Sequence, residues 1–337
     1  MSTTSRQFRL AARPVGEVKA SDWHLVEVPE PLPADGEFAV EVTHISVDPA
    51  MRGWMNAGRS YAPPVEIGEV MRAGALGRVI ASRHPRFAEG DVVYGVFGVQ
   101  EHAVSDGSGV HRIEPIEGVS AAAHLGVLGT SGMTAYFGLL DVGRVREGDT
   151  VLVSGAAGGV GITVGQLAKI MGARAVGIAG GREKCRALVE DLGFDAAVDY
   201  KAGDLRGQLR QHTPEHVDVF FDNVGGEILD HGLTRLARGA RVVICGAISQ
   251  YNNTERVAGP SNYLVLLVAR ASMTGFVVFD YADRYPQAAA RMAGWLAEGR
   301  LTSVETTVRG DIETFPDTLA RLFRGQNTGK LVLELDR

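Results

Sequence analysis

The stretch of this sequence best placed to hold a phosphate is built almost wholly from small residues. Val151-Leu152-Val153-Ser154-Gly155 is a short apolar run, and Ala156-Ala157-Gly158-Gly159-Val160-Gly161 follows it directly. Strand, small-residue turn and helix start in that order present free backbone N–H groups at a helix N-terminus, which attracts a pyrophosphate. Ala156-x-Gly158-x-x-Gly161 is similar to the dinucleotide fingerprint with alanine at its first position. Small side chains let the backbone approach the ligand, and Gly161 permits close packing of helix on sheet. A Walker loop would end Gly-Lys-Ser/Thr, whereas this one continues Val160-Gly161-Ile162-Thr163.

The next strand candidate ends at Gly180-Gly181, followed by Arg182-Glu183-Lys184. A site for NAD(H) commonly carries an acidic residue there to bind the ribose hydroxyls. None stands at Gly180 or Gly181; Arg182 and Lys184 offer cations, and Tyr200 offers a hydroxyl from the following strand end. This pattern favours NADP(H), whose extra phosphate such groups would neutralise. The plainer alternative is that Arg182 and Lys184 decorate an exposed helix start, with Glu183 facing solvent. Asn223, in Asp222-Asn223-Val224-Gly225-Gly226, has two open readings: an amide at the nicotinamide ribose, or an Asx turn. Cys245-Gly246-Ala247-Ile248 ends a further strand. Cys245 reads as a packing residue at that strand end and not as a nucleophile, because no Cys/His pair accompanies it.

These residues need a frame that gathers strand ends. From about residue 150 the sequence alternates short apolar strands (TVLVSG, ARAVGIAG, FDAAVDY, VDVFFDNVG, ARVVICGA) with helical stretches. The helices are GGVGITVGQLAKIMGA, REKCRALVEDLG and the regions around 204–212 and 226–236. That is the pattern of a parallel sheet covered on both faces, with ligands at the carboxyl ends of its strands. A further strand is expected at 272–279 and a surface helix at AARMAGWLAEG. Before about residue 125, the runs GEFAVEVTHISVDP, AGALGRVIASR, GDVVYGV and QEHAVSD alternate with Pro, Gly and Asp and predict a mostly β domain. The tail offers a helix, DIETFPDTLARLFRG, and a closing strand, KLVLEL, too little for a domain of its own. Its return to the β domain is the economical solution, and the active cleft is then expected between the two domains.

Composition narrows the function classes. The 43 glycines among 337 residues follow no G-X-Y period, and 45% of residues are hydrophobic, which excludes collagen-like and disordered chains. Lys plus Arg is 34 against 40 Asp plus Glu, and the formal charge of −6 does not favour a nucleic-acid coat protein. The start MSTTSRQFRL lacks the apolar core of a signal peptide, and no apolar run reaches membrane-spanning length, so a cytoplasmic, soluble protein with no membrane partner is expected. Two cysteines, Cys185 and Cys245, supply neither a disulfide framework nor a cysteine-only zinc site. His44 near Asp48, and the scattered His102, His111 and His124, do not make a three-ligand metal site, and no metal is expected.

Ten segments in one order extend the pattern across the chain: VDPAMRG, GTSGMTAYFGL, GAAGGVG, GIAGGREKC, LGFDAAVDYK, FDNVGG, ICGAISQYN, GPSNY, MTGFVV and GQNTGK, from about 47 to 331. Together they resemble the zinc-independent medium-chain dehydrogenase/reductase superfamily, and within it the NADP-dependent alkenal/one reductases. The resemblance implies an α/β protein: a GroES-like, mostly β catalytic domain over 1–126, completed by 301–337, and a doubly wound Rossmann NADP(H)-binding domain over 127–300. It also implies a homodimer using the edge near 272–279. By the same resemblance, Gly155, Ala156, Gly158, Gly159, Val160 and Gly161 approach the pyrophosphate of NADPH, and Lys184 and Tyr200 bind the adenosine-side phosphate. Asn223 and Asn327 contact the cofactor, Thr134 lies beside the nicotinamide, and Gly180, Cys245, Gly246, Ile248, Phe276 and Val277 complete the cofactor-facing set. Tyr251 matches a tyrosine near cofactor and substrate, and Tyr61, in RSYAPP, matches another pocket tyrosine.

The implied reaction is hydride transfer to the β-carbon of an α,β-unsaturated aldehyde or ketone, with charge developing on the carbonyl oxygen. Tyr251 or Tyr61 would position the substrate or stabilise that enolate. One departure concerns the substrate: related reductases often carry tyrosine after Val-Asp-Pro, and this sequence has Ala50. Reduction of quinones is the nearer alternative, and a catalytically weak NADPH-binding regulatory or structural protein the more distant one.

Overall fold

The computed structural model describes residues 4–336 of the chain. It divides into two compact units: one comprises residues up to Leu125 with Glu305–Asn327 and the stretch from Leu331, the other Gly126–Val304 with Thr328–Lys330.

The first unit opens with strands β1 (Thr4–Leu10), β2 (Trp23–Pro29) and β3 (Phe38–Val47), then the short helix α1 (Ala50–Trp54). Strands β4 (Ala75–Ser82), β5 (Val92–Gly95), β6 (His102–Ser105) and β7 (His111–Arg112) follow. β1 and β2 form an antiparallel pair in register from Thr4↔Pro29 to Leu10↔Trp23. In this unit Phe38, Ile45, Met51, Met55 and Met71 are fully buried in one apolar core. The buried Arg52 guanidinium donates to the carbonyls of Pro14 and Gly16 and to Asn56, so its charge is met by oxygen on all sides while burial lowers its pKa.

The second unit carries α2 (Thr130–Phe137), then β8 (Thr150–Ser154), α3 (Gly159–Ile170), β9 (Arg174–Ala179), α4 (Arg182–Glu190), β10 (Ala196–Asp199) and α5 (Leu205–His212). It continues with β11 (Val217–Asp222), α6 (Gly226–Leu233), β12 (Leu236–Ile244), α7 (Val265–Ala269), β13 (Ser272–Gly275) and α8 (Tyr285–Ala297). Its six strands run parallel in the order β10-β9-β8-β11-β12-β13. All their carboxyl ends therefore lie along one edge of the sheet. β8 is buried along its whole length, which is why its sequence is a continuous apolar run and not an alternating one. The strand expected over 272–279 is shorter: β13 ends at Gly275 because its partner β12 ends at Ile244, the residue paired with Gly275. A 3-10 turn, Val278–Arg284, takes up the rest.

The chain closes with β14 (Glu305–Gly310), α9 (Phe315–Phe323) and β15 (Lys330–Leu335). β14 and β15 extend the first unit's antiparallel sheet, in the order β14-β15-β3-β4-β5-β7 with β6 beside β3, so the tail adds to the β unit's core through Phe315, Leu319 and Leu333. The fold is thus a mixed β unit and a helix-covered parallel sheet, as the sequence predicts. Among the described residues, no helix is long and apolar enough to cross a membrane.

Candidate cofactor and active site

The glycine-rich turn is a cradle at the carboxyl end of β8. Ala156 N–H donates to Ile178 O at 3.0 Å and Gly158 N–H to Gly155 O at 3.0 Å, folding the turn tightly against β9. α3 then starts at Gly159, its N-cap Gly158 contributing no side-chain acceptor, so the amides of the first turn are offered to an anion. Gly161 sets how close this can be: a Cβ there would clash with Gly155 O and stand 2.7 Å from Ala156 Cα, both backbone atoms. A third segment joins the cradle, since Gly329 N–H donates to Ala157 O at 2.8 Å and Gly158 and Gly329 form a parallel bridge.

A second anion-attracting locus lies at the ends of β9 and β10. The Asp199 carboxylate accepts from Gly181 N at 2.8 Å and from Lys201 N at 2.9 Å, tying the two loops together. The Tyr200 ring lies over Gly180 so closely that a Cβ at 180 would meet its hydroxyl at 2.8 Å. Burial, and next the like charge of Lys201, lower the pKa of the Lys184 ammonium. Lys201 Nζ stands 5.9 Å from the Tyr200 ring centroid. Two ammonium groups and a phenol thus surround one strand end, a ready partner for a phosphate dianion. Arg182 and Glu183 are exposed on the first turn of α4. Lys201 was not among the residues expected from sequence, and its signal was its place directly after Tyr200 at a strand terminus.

The ends of β11 and β12 bring Asn223, Cys245, Gly246, Ile248 and Tyr251 together. Cys245 N–H and Gly246 N–H both donate to Asp222 O, at 2.9 and 3.3 Å, and Ile248 N–H donates to Asn223 O at 3.2 Å. Asn223 does not make the Asx turn: its Nδ2 donates to Ser154 O at 2.7 Å. The Asx turn belongs to its neighbour Asp222, whose carboxylate accepts from Val224 N and Gly225 N. Burial, with the Asp222 charge second, pushes the Cys245 thiol up to about 12, so it is inert as a nucleophile at neutral pH. Tyr251 folds back on this turn, its hydroxyl accepting from Ala247 N–H at 3.2 Å.

The remaining expected residues are placed as follows. Thr134, on α2, donates its hydroxyl to Thr130 O at 2.7 Å. Phe276 packs edge-on to Phe221 at 6.4 Å, with half-buried Val277 next to it beyond the end of β13. Tyr61 and Asn327 belong to the β unit, Tyr61 exposed in the irregular stretch between α1 and β4, and Asn327 buried between α9 and β15. Among the described residues, no group of three or more His, Cys, Asp and Glu side chains is arranged to hold a metal ion.

Known proteins match this arrangement along its length. The family model described as the N-terminal domain of oxidoreductase matches residues 6–113, and the one described as zinc-binding dehydrogenase matches 159–294. The NADPH-dependent curcumin reductase of Escherichia coli (strain K12) is 38% identical, the match covering 98% of this chain and 97% of that protein. The NADP(+)-dependent 2-alkenal reductase of Nicotiana tabacum is 35% identical over 99% of this chain and 98% of its own. The crystal structure of CurA in complex with NADPH, from Vibrio vulnificus, superposes with a TM-score of 0.93 at 42% identity, covering 98% of this chain and 99% of that one. With a dehydrogenase fold, relatives of that kind over nearly its whole length and no zinc-ligand cluster among its described residues, the chain belongs to the zinc-independent medium-chain dehydrogenase/reductases, in the family of alkenal/one reductases.

Proposed function

We propose that this protein is an NADPH-dependent reductase of the carbon–carbon double bond of α,β-unsaturated aldehydes and ketones. The observation that carries the reading is the pair of anion-binding loci on one sheet edge, in a chain whose relatives at 38% and 35% identity are a curcumin reductase and a 2-alkenal reductase. The residues present fit the cofactor. The turn over 155–161 presents the first amides of α3 with no side-chain cap at Gly158, as a pyrophosphate requires, and Lys184, Tyr200 and Lys201 gather beyond the ends of β9 and β10, where they would meet the phosphate that separates NADPH from NADH.

NADPH, when bound, supplies a hydride from nicotinamide C4 to the β-carbon of the alkene. The protein holds the acceptor in reach and offers a donor to the carbonyl oxygen on which charge develops. In this reading Tyr251 is that donor, its hydroxyl set at the end of β12 beside Gly246 and Ala247. Tyr61 is read as a residue that positions the substrate. Asn223, Asn327, Thr134, Phe276 and Val277 complete the cofactor contacts.

The same reading makes the protein a homodimer. β13 is the last strand of its sheet and all four of its residues are exposed, and Leu264, Leu267 and Val268 beside it expose 59, 77 and 71% of their surface. A second copy would pair the open strand edge and cover this apolar face. The cytoplasm is its proposed location, where its two free cysteines stay reduced, and the formal charge of −6 argues against a nucleic-acid partner.

The test is NADPH consumption with small enals, linear enones, aryl enones and quinones, each product identified. Saturated aldehydes and ketones are expected. Hydroquinone formation alone, with every enone untouched, would overturn the substrate class, and NADPH binding without any turnover would make the protein a binding module.

A further inference from the structure

The buried bond between Ser154 and Asp222 joins two strand ends and touches no solvent. β8 and β11 run parallel in register, Phe221 paired with Val153, so Ser154 and Asp222 face each other at the sheet edge, both 0% exposed. The Ser154 hydroxyl donates to Asp222 Oδ1 at 2.6 Å and accepts from Asn223 N–H at 2.8 Å. Asp222 also accepts from Val224 N–H at 3.3 Å and Gly225 N–H at 2.9 Å. Every polar atom in this set has a defined direction. An ionised carboxylate only accepts, so the serine proton must point to it, and the serine lone pairs are left for the Asn223 amide. Asn223 Nδ2 donates to Ser154 O at 2.7 Å, so its amide carbonyl is turned away from Ser154.

We infer that the Ser154 hydroxyl and Asp222 are positioning groups that fix the Asn223 main chain, keeping Nδ2 within reach of the Ser154 main-chain carbonyl and the amide oxygen toward the cofactor, where it accepts from a donor such as a ribose hydroxyl. The inference rests on the NADPH reading above and extends it to two residues that need not touch the ligand. With its main-chain N–H released from the serine hydroxyl, Asn223 would shift and loosen the Nδ2 bond to the Ser154 carbonyl; an amide then able to turn would offer N–H as readily as oxygen, and binding would carry the cost of selecting one orientation. Because Asn223 lies away from the Lys184 locus, the lock should act on NADPH and NADH alike.

Titrating the full-length protein with NADPH and with NADH, followed by cofactor fluorescence, tests this. Ser154→Ala is expected to weaken both by about tenfold, the scale of one buried hydrogen bond, with their ratio unchanged. Asn223→Ala should do the same, and the double variant should be no weaker than Asn223→Ala alone, because Ser154 acts through Asn223. Wild-type binding by Ser154→Ala, or losses that multiply in the double variant, would overturn the inference. If Ser154→Ala does not fold, Asn223→Asp replaces it: a carboxylate cannot donate to Ser154 O, and affinity should fall with the fold kept, whereas unchanged affinity would overturn the lock. A wild-type protein that binds no NADPH would overturn the cofactor reading itself, a result visible before any variant is made.

Discussion

The two anion-binding loci of the parallel-sheet unit are built by opposite means. At 155–161 the work is done by backbone: amides of a helix start, a turn bonded to β9, and a contact too close for any side chain at Gly161. At 180–201 it is done by side chains: a half-buried lysine, an exposed lysine and a phenol ring. In the proposed function the first would meet what every dinucleotide shares, and the second the one group that distinguishes NADPH. A rigid part would then supply binding and an adaptable part choice. Side chains can be exchanged without unfolding the unit, and the backbone cradle cannot.

Gly161→Val should break the comparison most severely. Its branched side chain would be driven into Gly155 O and Ala156 Cα, and neither can yield without parting α3 from β8. Overpacking of this kind costs about 1–3 kcal/mol, and more against backbone. Both NADPH and NADH binding should be lost, with a lowered midpoint in a thermal melt. A Gly161→Val protein that bound either cofactor normally would show that the cradle is not the pyrophosphate site.

The same contrast explains what could be read from sequence. The cradle is local: strand, turn and helix start occupy consecutive residues, so composition and spacing point to it directly. Lys184, on the first turn of α4, and Tyr200, just after β10, each directly follow a strand that the sequence marks out. Lys201 was missed because an exposed lysine looks like ordinary surface until Tyr200 is known to lie against Gly180. The Ser154–Asp222 bond was invisible because it spans 68 positions and requires β8 and β11 to be neighbours. The order β10-β9-β8-β11-β12-β13 reverses direction in mid-sheet, and a periodic pattern of strands and helices does not encode that reversal. Nor did the sequence suggest that Thr328–Lys330 would join the parallel-sheet unit while the residues on either side join the β unit.

Lys184→Ala sharpens the comparison from the other side. It should leave NADH kinetics and thermal stability nearly unchanged and raise KM for NADPH by about tenfold, the loss of roughly 1.4 kcal/mol. Its ammonium is held below the usual lysine pKa, first by burial and then by Lys201. Preference for NADPH over NADH should therefore decline as pH rises, starting below the range near 10.4 where a solvated lysine loses its proton. Lys201→Ala acts twice. It removes an exposed cation, which should cost NADPH about two- to fourfold and less at high salt, and it relieves the repulsion on Lys184, moving the alkaline decline to higher pH. A decline that stays put in Lys201→Ala would mean the two lysines do not share one phosphate.

The smallest effect is expected at Tyr61, outside both loci. It lies in an irregular stretch of the β unit with 55% of its surface exposed, where water can replace whatever its hydroxyl meets. A hydroxyl exchanged between protein and solvent contributes little net free energy. Tyr61→Phe should therefore change kcat/KM for an enone by less than about threefold and leave KM for NADPH unchanged, with no shift in the thermal midpoint. A loss nearer a hundredfold in kcat, with both KM values intact, is the signature of a donor felt only in the transition state. Such a result would move enolate stabilisation from Tyr251 to Tyr61. The division would then be threefold: backbone for the common part of the cofactor, side chains for its phosphate, and an exposed loop for the chemistry.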